Sequence, residues 1–275
     1  MIRLLQIEFQ KLWKNKMSKF LIIISFIIPF SVLILSSIKI DFFGYFTIDL
    51  AQTGIFNFPL IWHIIPFFAS YFKLFFALIV VSMIANEYSN RTIKQNLIDG
   101  LSKKEFILSK FYFILVYTLL SSLFIGIATL IIGLIHSAHT DIEVLFINSE
   151  FVAAYFFKLL GFFSFCMFVA MLIKRSAFAL GTLIVIAITE VIIYENLKWN
   201  WANDVIAENI MMFAPFTALY NLINQPIQRI VMISSPDKTN LMYDYAVHWH
   251  EIVIVCVWTF LFTYGSYILL KNRDL

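Results

Sequence analysis

The chain has 275 residues, of which 61% are hydrophobic and only 13% are charged. Soluble domains carry about 45–50% apolar and about 25% charged residues, and a single soluble core could not bury the 31 phenylalanines of this chain. This composition excludes a soluble enzyme, a disordered chain and a secreted disulfide scaffold. Because no alternating β-barrel pattern is present, it predicts an all-α polytopic membrane protein, with residues 1–275 forming one transmembrane domain.

Six apolar segments approach or exceed the length of about 20 residues that a helix needs to cross a bilayer. Basic residues precede the first segment, as in a signal peptide. Its apolar stretch is too long for that, however, and no small-residue cleavage site follows Ser37, so we expect an uncleaved helix. The predicted transmembrane helices cover residues 20–38, 61–86, 111–135, 151–173, 177–194 and 252–270.

The basic residues are distributed unevenly between the two sides of these spans. Most of the 20 lie before the first span, in the loops after the second and fourth spans, and in the tail. The positive-inside rule therefore predicts that both termini are cytoplasmic, which agrees with an even number of spans. Topology thus accounts for the net charge of +3, and no nucleic-acid partner is expected. The opposite loops hold only Lys39, Lys198, Arg229 and Lys238.

Residues 1–19 have the pattern of an amphipathic helix. Ile2, Leu5, Phe9 and Leu12 recur at helical spacing, opposite a polar face. Such a helix is expected to lie flat on the inner leaflet. An ordinary anchor that sets topology would explain the amphipathicity, but not Glu8, which interrupts the basic run.

Residues 87–110, which we call the coupling segment, are too polar to span a membrane and too regular to be a plain loop. Leu97 and Leu101 continue a helical spacing, and Gly100 is placed to end a first helix. Ser102 and Glu105 have the spacing of a capping box that begins the next helix. The pattern predicts a short helix, a break, and a helix that leads into span three; the alternative is a solvated basic connection.

The outer loop, residues 195–251, contains an apolar run over residues 210–223 that Pro215 interrupts. If this run were a seventh span, Lys271 and Arg273 would lie outside the cell, against the positive-inside rule. We therefore predict re-entrant or surface helices between spans five and six, buried against the bundle.

The coupling segment resembles the permeases of ABC-2 type ABC transporters. The family pattern there is an acidic residue, Thr, Leu, a turn, Ser with a basic residue, and a Lys at the next span. The N-terminal helix is similar to the amphipathic connecting helix of the family, and the turn position, often Pro in the family, is Gly here. The matching residues are Glu87, Thr92, Leu97, Gly100, Ser102, Lys103 and Lys110 in the segment, and Glu8, Phe9, Lys11, Trp13 and Lys16 in the N-terminal helix.

This resemblance implies a permease subunit of an ATP-driven transporter in the bacterial plasma (inner) membrane. None of the eight glycines is followed by Lys, so the chain has no phosphate-binding loop. ATP and Mg²⁺ are therefore expected on a partner, a cytoplasmic ABC ATPase in two copies, beside a second permease copy or homologue and membrane lipids. The expected ATPase contacts are Thr92, Asn96, Leu97 and Gly100, with Glu87 joining them to span two.

The implied activity is export of a lipid-like, peptide, drug or other amphipathic substrate by alternating access at the interface of a permease dimer. Three charged residues inside the spans bear on it: Lys73, Lys158 and Glu190. At 1.5 Å per residue, all three lie roughly 21–24 Å from the cytoplasmic charge line. They are predicted to line the substrate path or form an intramembrane ion pair; the alternative is that both lysines snorkel to the outer headgroups.

Two other classes of function remain open from the sequence. An intramembrane enzyme could use the outer histidines, although none stands in an H-E-x-x-H frame, and we predict neither a metal site nor a catalytic residue. A secondary carrier or channel is the third class, although the chain shows no convincing internal repeat. The histidines are His63, His136, His139, His248 and His250.

Overall fold

Six helices of this protein are long and apolar enough to cross a membrane, which confirms the predicted all-α polytopic fold. The last residue of the first predicted span, Ile38, lies outside the described residues. The computed structural model describes residues 2–37, 40–42, 46–48, 54–137, 141–200, 204–227, 229–230 and 245–273.

The N-terminal region consists of two helices and a small hairpin. Asn15 separates α1 from α2 and accepts the backbone N–H of Met17 on its side-chain oxygen at 3.0 Å, which caps α2. The hairpin is antiparallel, with Ile40 opposite Ile48, and the sequence analysis did not predict it. The elements are α1 (Ile2–Lys14), α2 (Lys16–Ser37), β1 (Ile40–Phe42) and β2 (Phe46–Ile48).

The second span is built from two helices joined end to end. α3 (Ile61–Ala69) passes through a 3₁₀ turn (Ser70–Phe72) into α4 (Lys73–Ser89). The turn comes four residues after Pro66, which has no backbone N–H to donate. A 3₁₀ turn inside a helix often marks a hinge, and here it places Lys73 at the start of α4.

The remaining helices complete the bundle. Two helices in the outer connection have only 8 and 7 residues, well short of the roughly 20 residues of a span. Pro215 does not interrupt the second of these helices but begins it, where a missing N–H costs nothing. The helices are α5 (Thr92–Ile98), α6 (Lys103–His136), α7 (Ile142–Leu145), α8 (Glu150–Ile173), α9 (Ser176–Asn200), α10 (Asp204–Met211), α11 (Pro215–Asn221) and α12 (Trp249–Lys271).

α8 is the central helix of the bundle and packs against α4, α6, α9 and α12. In the most apolar stretch of this span, 72% of the residues are buried inside the protein, compared with 17% in the corresponding stretch of α9. Gly161 permits the close approach of α8 and α12, because a Cβ there would lie 2.8 Å from a methyl group of Val255. The apolar faces of α2, α9 and α12 are left for lipid or for another protein chain.

Candidate functional site

α5 is a seven-residue helix that packs one apolar edge onto the bundle. Ile93 is buried and Leu97 packs against the core. Ile98 lies on the other face and is 75% exposed. The coupling segment therefore presents an isolated apolar side chain on an otherwise polar outer surface.

The break after α5 is a defined turn. Gly100 has φ +95, and its N–H bonds to the Leu97 carbonyl at 3.2 Å, while Leu101 N–H bonds to the Asn96 carbonyl at 3.0 Å. These two bonds form a Schellman motif, which requires a left-handed residue and therefore favours glycine.

The predicted capping box at the start of α6 is also present. Ser102 accepts the Glu105 N–H at 3.2 Å, and the Glu105 carboxylate accepts the Ser102 N–H at 2.9 Å. The predicted order of helix, break and helix is thus confirmed.

Two glutamates and two lysines, which we call the ionic network, join α1, α4 and α6. Lys110 Nζ lies 2.5 Å from Glu8 Oε2 and 2.6 Å from Glu87 Oε1. Lys11 Nζ donates to Glu87 Oε1 at 3.0 Å, and Ser109 Oγ donates to Glu8 Oε1 at 3.3 Å. The network brings together the predicted residues Glu8, Lys11 and Glu87, and it explains why Glu8 stands in a basic helix.

The ionic network is buried and electrically balanced. Lys110 is 0% exposed and Glu8 2%. Burial acts to lower the pKa of Lys11, but the Glu8 and Glu87 carboxylates outweigh it and raise that pKa. Removing one partner of a buried pair costs about 3–5 kcal/mol, so each member holds the others in place. Thr92 Oγ1 donates to the Glu87 carbonyl at 3.3 Å, which ties the first residue of α5 to the network.

α1 packs against α2 and α6 with Glu8 and Leu12 turned toward the protein. Phe9 is 42% exposed and makes an edge contact with Phe113. Trp13 is exposed beneath the ammonium group of Lys19, and Lys16 is exposed as well. The helix therefore buries a charged residue in addition to part of its apolar face.

A cavity of about 180 Å³ lies between α1 and the break after α5. Asn96 contributes to its lining, and its buried side-chain Nδ2 has no hydrogen-bond partner. Cations and anions both line the cavity, so it suits a polar or zwitterionic protein surface. Its charged lining residues are Arg3, Glu8, Lys11 and Asp99.

The four residues predicted to contact the ATPase have different exposures. Gly100 is exposed, whereas Thr92, Asn96 and Leu97 are half-buried. The reason is that Leu97 belongs to the apolar edge that packs on the bundle. The exposed face of α5 is formed instead by Lys94, Gln95 and Ile98.

Lys103 binds within the chain. Its Nζ donates to the carbonyls of Lys271 and Arg273 at 3.1 and 3.0 Å, at the end of α12. Arg273 in turn donates to the Met171 carbonyl and to the Tyr88 hydroxyl. The neighbouring ends of α4, α6, α8 and α12 are thereby connected.

Lys73 and Lys158, which we call the lysine pair, lie deeper in the bundle. Lys158 is 3% exposed, with Nζ 5.9 Å from the Tyr220 ring centroid. Lys73 Nζ lies 4.7 Å from the Phe162 ring centroid. A desolvated cation–π contact contributes about 2 kcal/mol, less than the several kcal/mol that burying an ammonium group costs. The burial of Lys158 also argues against its snorkelling to headgroups.

The predicted ion pair of Glu190 with a lysine is not formed. Glu190 accepts the backbone N–H groups of Phe216 at 3.0 and 3.1 Å and of Thr217 at 3.1 Å. These donors are unsatisfied groups in the first turn of α11, which attract a carboxylate. The acid therefore holds α11 against α9 and leaves the lysine pair uncompensated.

The histidines are dispersed. His63 is buried, stacked on Phe151, with Nε2 2.7 Å from the Asn224 carbonyl. His248 and His250 stack on each other at the start of α12, far along the chain from His136. His139 lies outside the described residues. Within the described residues, no group of three or more His, Cys, Asp or Glu side chains could hold a metal ion.

Sequence reasoning missed the use made of two residues. Lys110 entered only as a position in a family pattern, yet it is the centre of the ionic network. Arg273 entered only as a topological charge, yet it binds two other helices. An acid in a basic helix was the one available signal, and it pointed to Glu8 without naming its partner.

The sequence matches the family described as ABC-2 family transporter protein over residues 4–194, more than half of the chain. The chain belongs to the ABC-2 transporter family. The matched region contains most of α1, the coupling segment, the first four spans and most of α9. A comparison with curated proteins found no match.

Membership makes this chain a permease subunit of an ABC transporter and a multi-pass membrane protein. Such a subunit forms the membrane path and is not itself the ATPase. ABC-2 permeases generally pair with an ABC ATPase subunit.

Proposed function

We propose that this permease exports an amphipathic substrate, using ATP hydrolysed by a separate cytoplasmic ABC ATPase that docks on the coupling segment. The proposal takes both termini to be cytoplasmic, in a bacterial plasma membrane. ATP and Mg²⁺ would be held by the ATPase, which would supply the energy of hydrolysis when they are bound. The permease contributes the docking surface and the helices that move.

The observation that carries this proposal is the ionic network. It connects the amphipathic α1, the end of span two and the start of span three at the point where α5 begins. Bonds to charged, buried groups are short and directional, so they resist separation of the helices that they join. A force applied to α5 would therefore move spans two and three together with α1.

Docking requires a surface that another protein can recognise. Ile98 supplies an exposed apolar anchor, and the cavity beside α1 supplies buried polar atoms, including the unpartnered Asn96 Nδ2. Interfaces commonly combine a buried apolar anchor with a polar rim.

The transport cycle follows from pairing two such subunits. Six spans are too few to enclose a wide path, so we propose two permease copies, or a copy with a homologue, and two ATPases. Closure of the ATPases would tilt both coupling segments and switch the cleft between the permeases from inward-facing to outward-facing. The exposed apolar faces of α2, α9 and α12 offer the area for such pairing.

The proposal is tested by co-purification of the ATPase with the full-length permease carrying Ile98→Asp. A charge at the anchor should reduce the recovered ATPase at least about tenfold, as expected when an apolar hot spot is lost. Ile147→Asp is the matched control, because Ile147 is also exposed but lies after α7 on the opposite side of the predicted membrane. Equal ATPase recovery with both variants, or no ATPase with the wild type, would contradict the proposal.

A further inference from the structure

Lys73 and Lys158 are neighbours without an acidic partner. Lys158 is covered almost completely, and Lys73 is half-buried at the start of α4. Lys73 Nζ lies over the ring of Phe162, which is one turn after Lys158 on the same face of α8, so the two lysines are close in space. Among the residues that the structure describes, neither Lys73 nor Lys158 forms an ion pair.

Aromatic rings cover both lysines without neutralising them. The Phe162 ring lies under Lys73 Nζ and the Tyr220 ring near Lys158 Nζ. A ring face attracts a cation through its quadrupole but carries no net negative charge. The rings therefore supply no counter-charge to either lysine in the space between α4, α8 and α11.

The neighbouring polar groups do not supply a counter-charge either. The Glu190 carboxylate is occupied by the N–H groups that begin α11. His63, which also lies within electrostatic range of Lys158, contacts the guanidinium group of Arg229 at 3.5 Å. Arg229 adds another cation on that side.

The pair lies just beneath an exposed surface that is partly phenolic and partly apolar. Tyr71 is 61% exposed and Tyr220 47%. Burial and the nearby Tyr71 raise the pKa of Tyr220, so its hydroxyl stays protonated and able to donate. Phe68 at the end of α3 and Leu74 at the start of α4 flank the turn that carries Tyr71, and both expose apolar surface.

We propose that Lys73 and Lys158 bind the anionic group of an amphipathic molecule, a phosphate or a carboxylate. The ammonium groups neutralise the anion, Tyr71 and Tyr220 donate hydrogen bonds at the mouth, and the apolar surface of α3 and α4 receives the hydrocarbon part. This inference rests on the proposed transport function and names the class of its substrate. The 3₁₀ turn before Lys73 places the site at a joint of span two, where movement of α4 would change the spacing of the two lysines.

The test measures binding to the purified full-length permease in dodecyl maltoside, without the ATPase. Lysophosphatidic acid is the probe, lysophosphatidylcholine of the same chain length is the zwitterionic comparison, and inorganic phosphate is the free anion. Ligand-dependent shifts of thermal unfolding yield the affinities. Lysophosphatidic acid is expected to bind more tightly than the zwitterion.

The variants separate charge from shape. Lys158→Met and Lys73→Met should each weaken lysophosphatidic acid binding by roughly tenfold or more, because each removes a hydrogen bond to a charged group. Lys158→Arg should retain binding, since it keeps the charge. Lys198→Met should also retain it, because Lys198 is exposed near the end of α9. If Lys158→Met does not give a monodisperse protein, Lys73→Met and Lys158→Arg still decide the question.

Each binding result either supports or overturns the anion site. Charge-dependent binding of lysophosphatidic acid alone supports an amphiphile site, and equal charge-dependent binding of inorganic phosphate supports the same anion site with a free anion as its source. Unchanged affinity in both Lys→Met variants overturns the inference. Because no ATPase is present, failure of this test leaves the docking proposal intact, and failure of ATPase co-purification leaves this site intact.

Discussion

The ionic network at the base of α1 and the lysine pair between α4 and α8 both bury ammonium groups, but their acids are used differently. In the network, Lys110 lies between Glu8 and Glu87 and every charge has a counterpart. For the lysine pair, the acid that the sequence suggested as a partner, Glu190, binds the first turn of α11 instead. Burial alone therefore does not define the role of a charge; the position of the acid does.

The position of the acid distinguishes a structural contact between helices, the ionic network, from a candidate binding site, the lysine pair. A balanced cluster has nothing left to offer a ligand, and it stabilises the contact between helices. An unbalanced cluster carries a standing free-energy cost that a ligand of opposite charge can remove. The same substitution, Lys→Met, should consequently have opposite effects in the two clusters.

The largest effect is expected for Lys110→Met. It leaves the carboxylates of Glu8 and Glu87 buried without their main partner, so the free energy of unfolding should fall by about 3–5 kcal/mol. Unfolding of the purified permease in a detergent–denaturant titration measures this. Lys104→Met, at an exposed lysine of the same helix, should change stability by no more than about 0.5 kcal/mol. Equal stability of the two variants would show that the network does not hold the helices.

A change of the opposite sign is expected for Lys158→Met. Replacing a buried, unpaired ammonium group by an apolar side chain of similar length should raise the free energy of unfolding by about 1–3 kcal/mol. The same titration applies, with Lys110→Met as the reference. A loss as large as that of Lys110→Met would mean that Lys158 has a counter-charge, and the comparison would fail.

Glu190→Gln is expected to have the smallest effect. The amide keeps one carbonyl oxygen for the N–H groups of Phe216 and Thr217 but loses the charge, so stability should fall by about 1–2 kcal/mol. Glu195→Gln, exposed on the same helix, is the control. Lysophosphatidic acid affinity should stay the same or rise, because a negative charge is removed. Weaker binding would place Glu190 inside the anion site.

Local patterns in the sequence predicted the fold well. Apolar segments of sufficient length revealed the six spans, because a bilayer imposes that length on any helix that crosses it. The Ser102–Glu105 capping box and the Gly100 stop were equally predictable, since each depends on residues within one or two turns. The hairpin pairing Ile40 with Ile48 gave no comparable signal, because its strands have three residues each.

The partners of the charged residues could not be predicted in the same way. Glu8 and Lys110 are 102 residues apart, and only the packing of α1 on α6 brings them together. For Glu190, counting residues gave a depth in the membrane but not a direction around α9. Its actual partners are backbone groups, which leave no trace in the amino-acid sequence.

The contacts of Lys103 and Arg273 have a practical meaning for following this transporter at work. They bind the end of α12 to the start of α6, although the bonded residues are 168 residues or more apart in the sequence. A spectroscopic label near the end of α12 should therefore report the conformational change that ATP hydrolysis drives. It would do so from a position remote from the docking surface. An affinity tag that extends or covers that end should in turn reduce this conformational change.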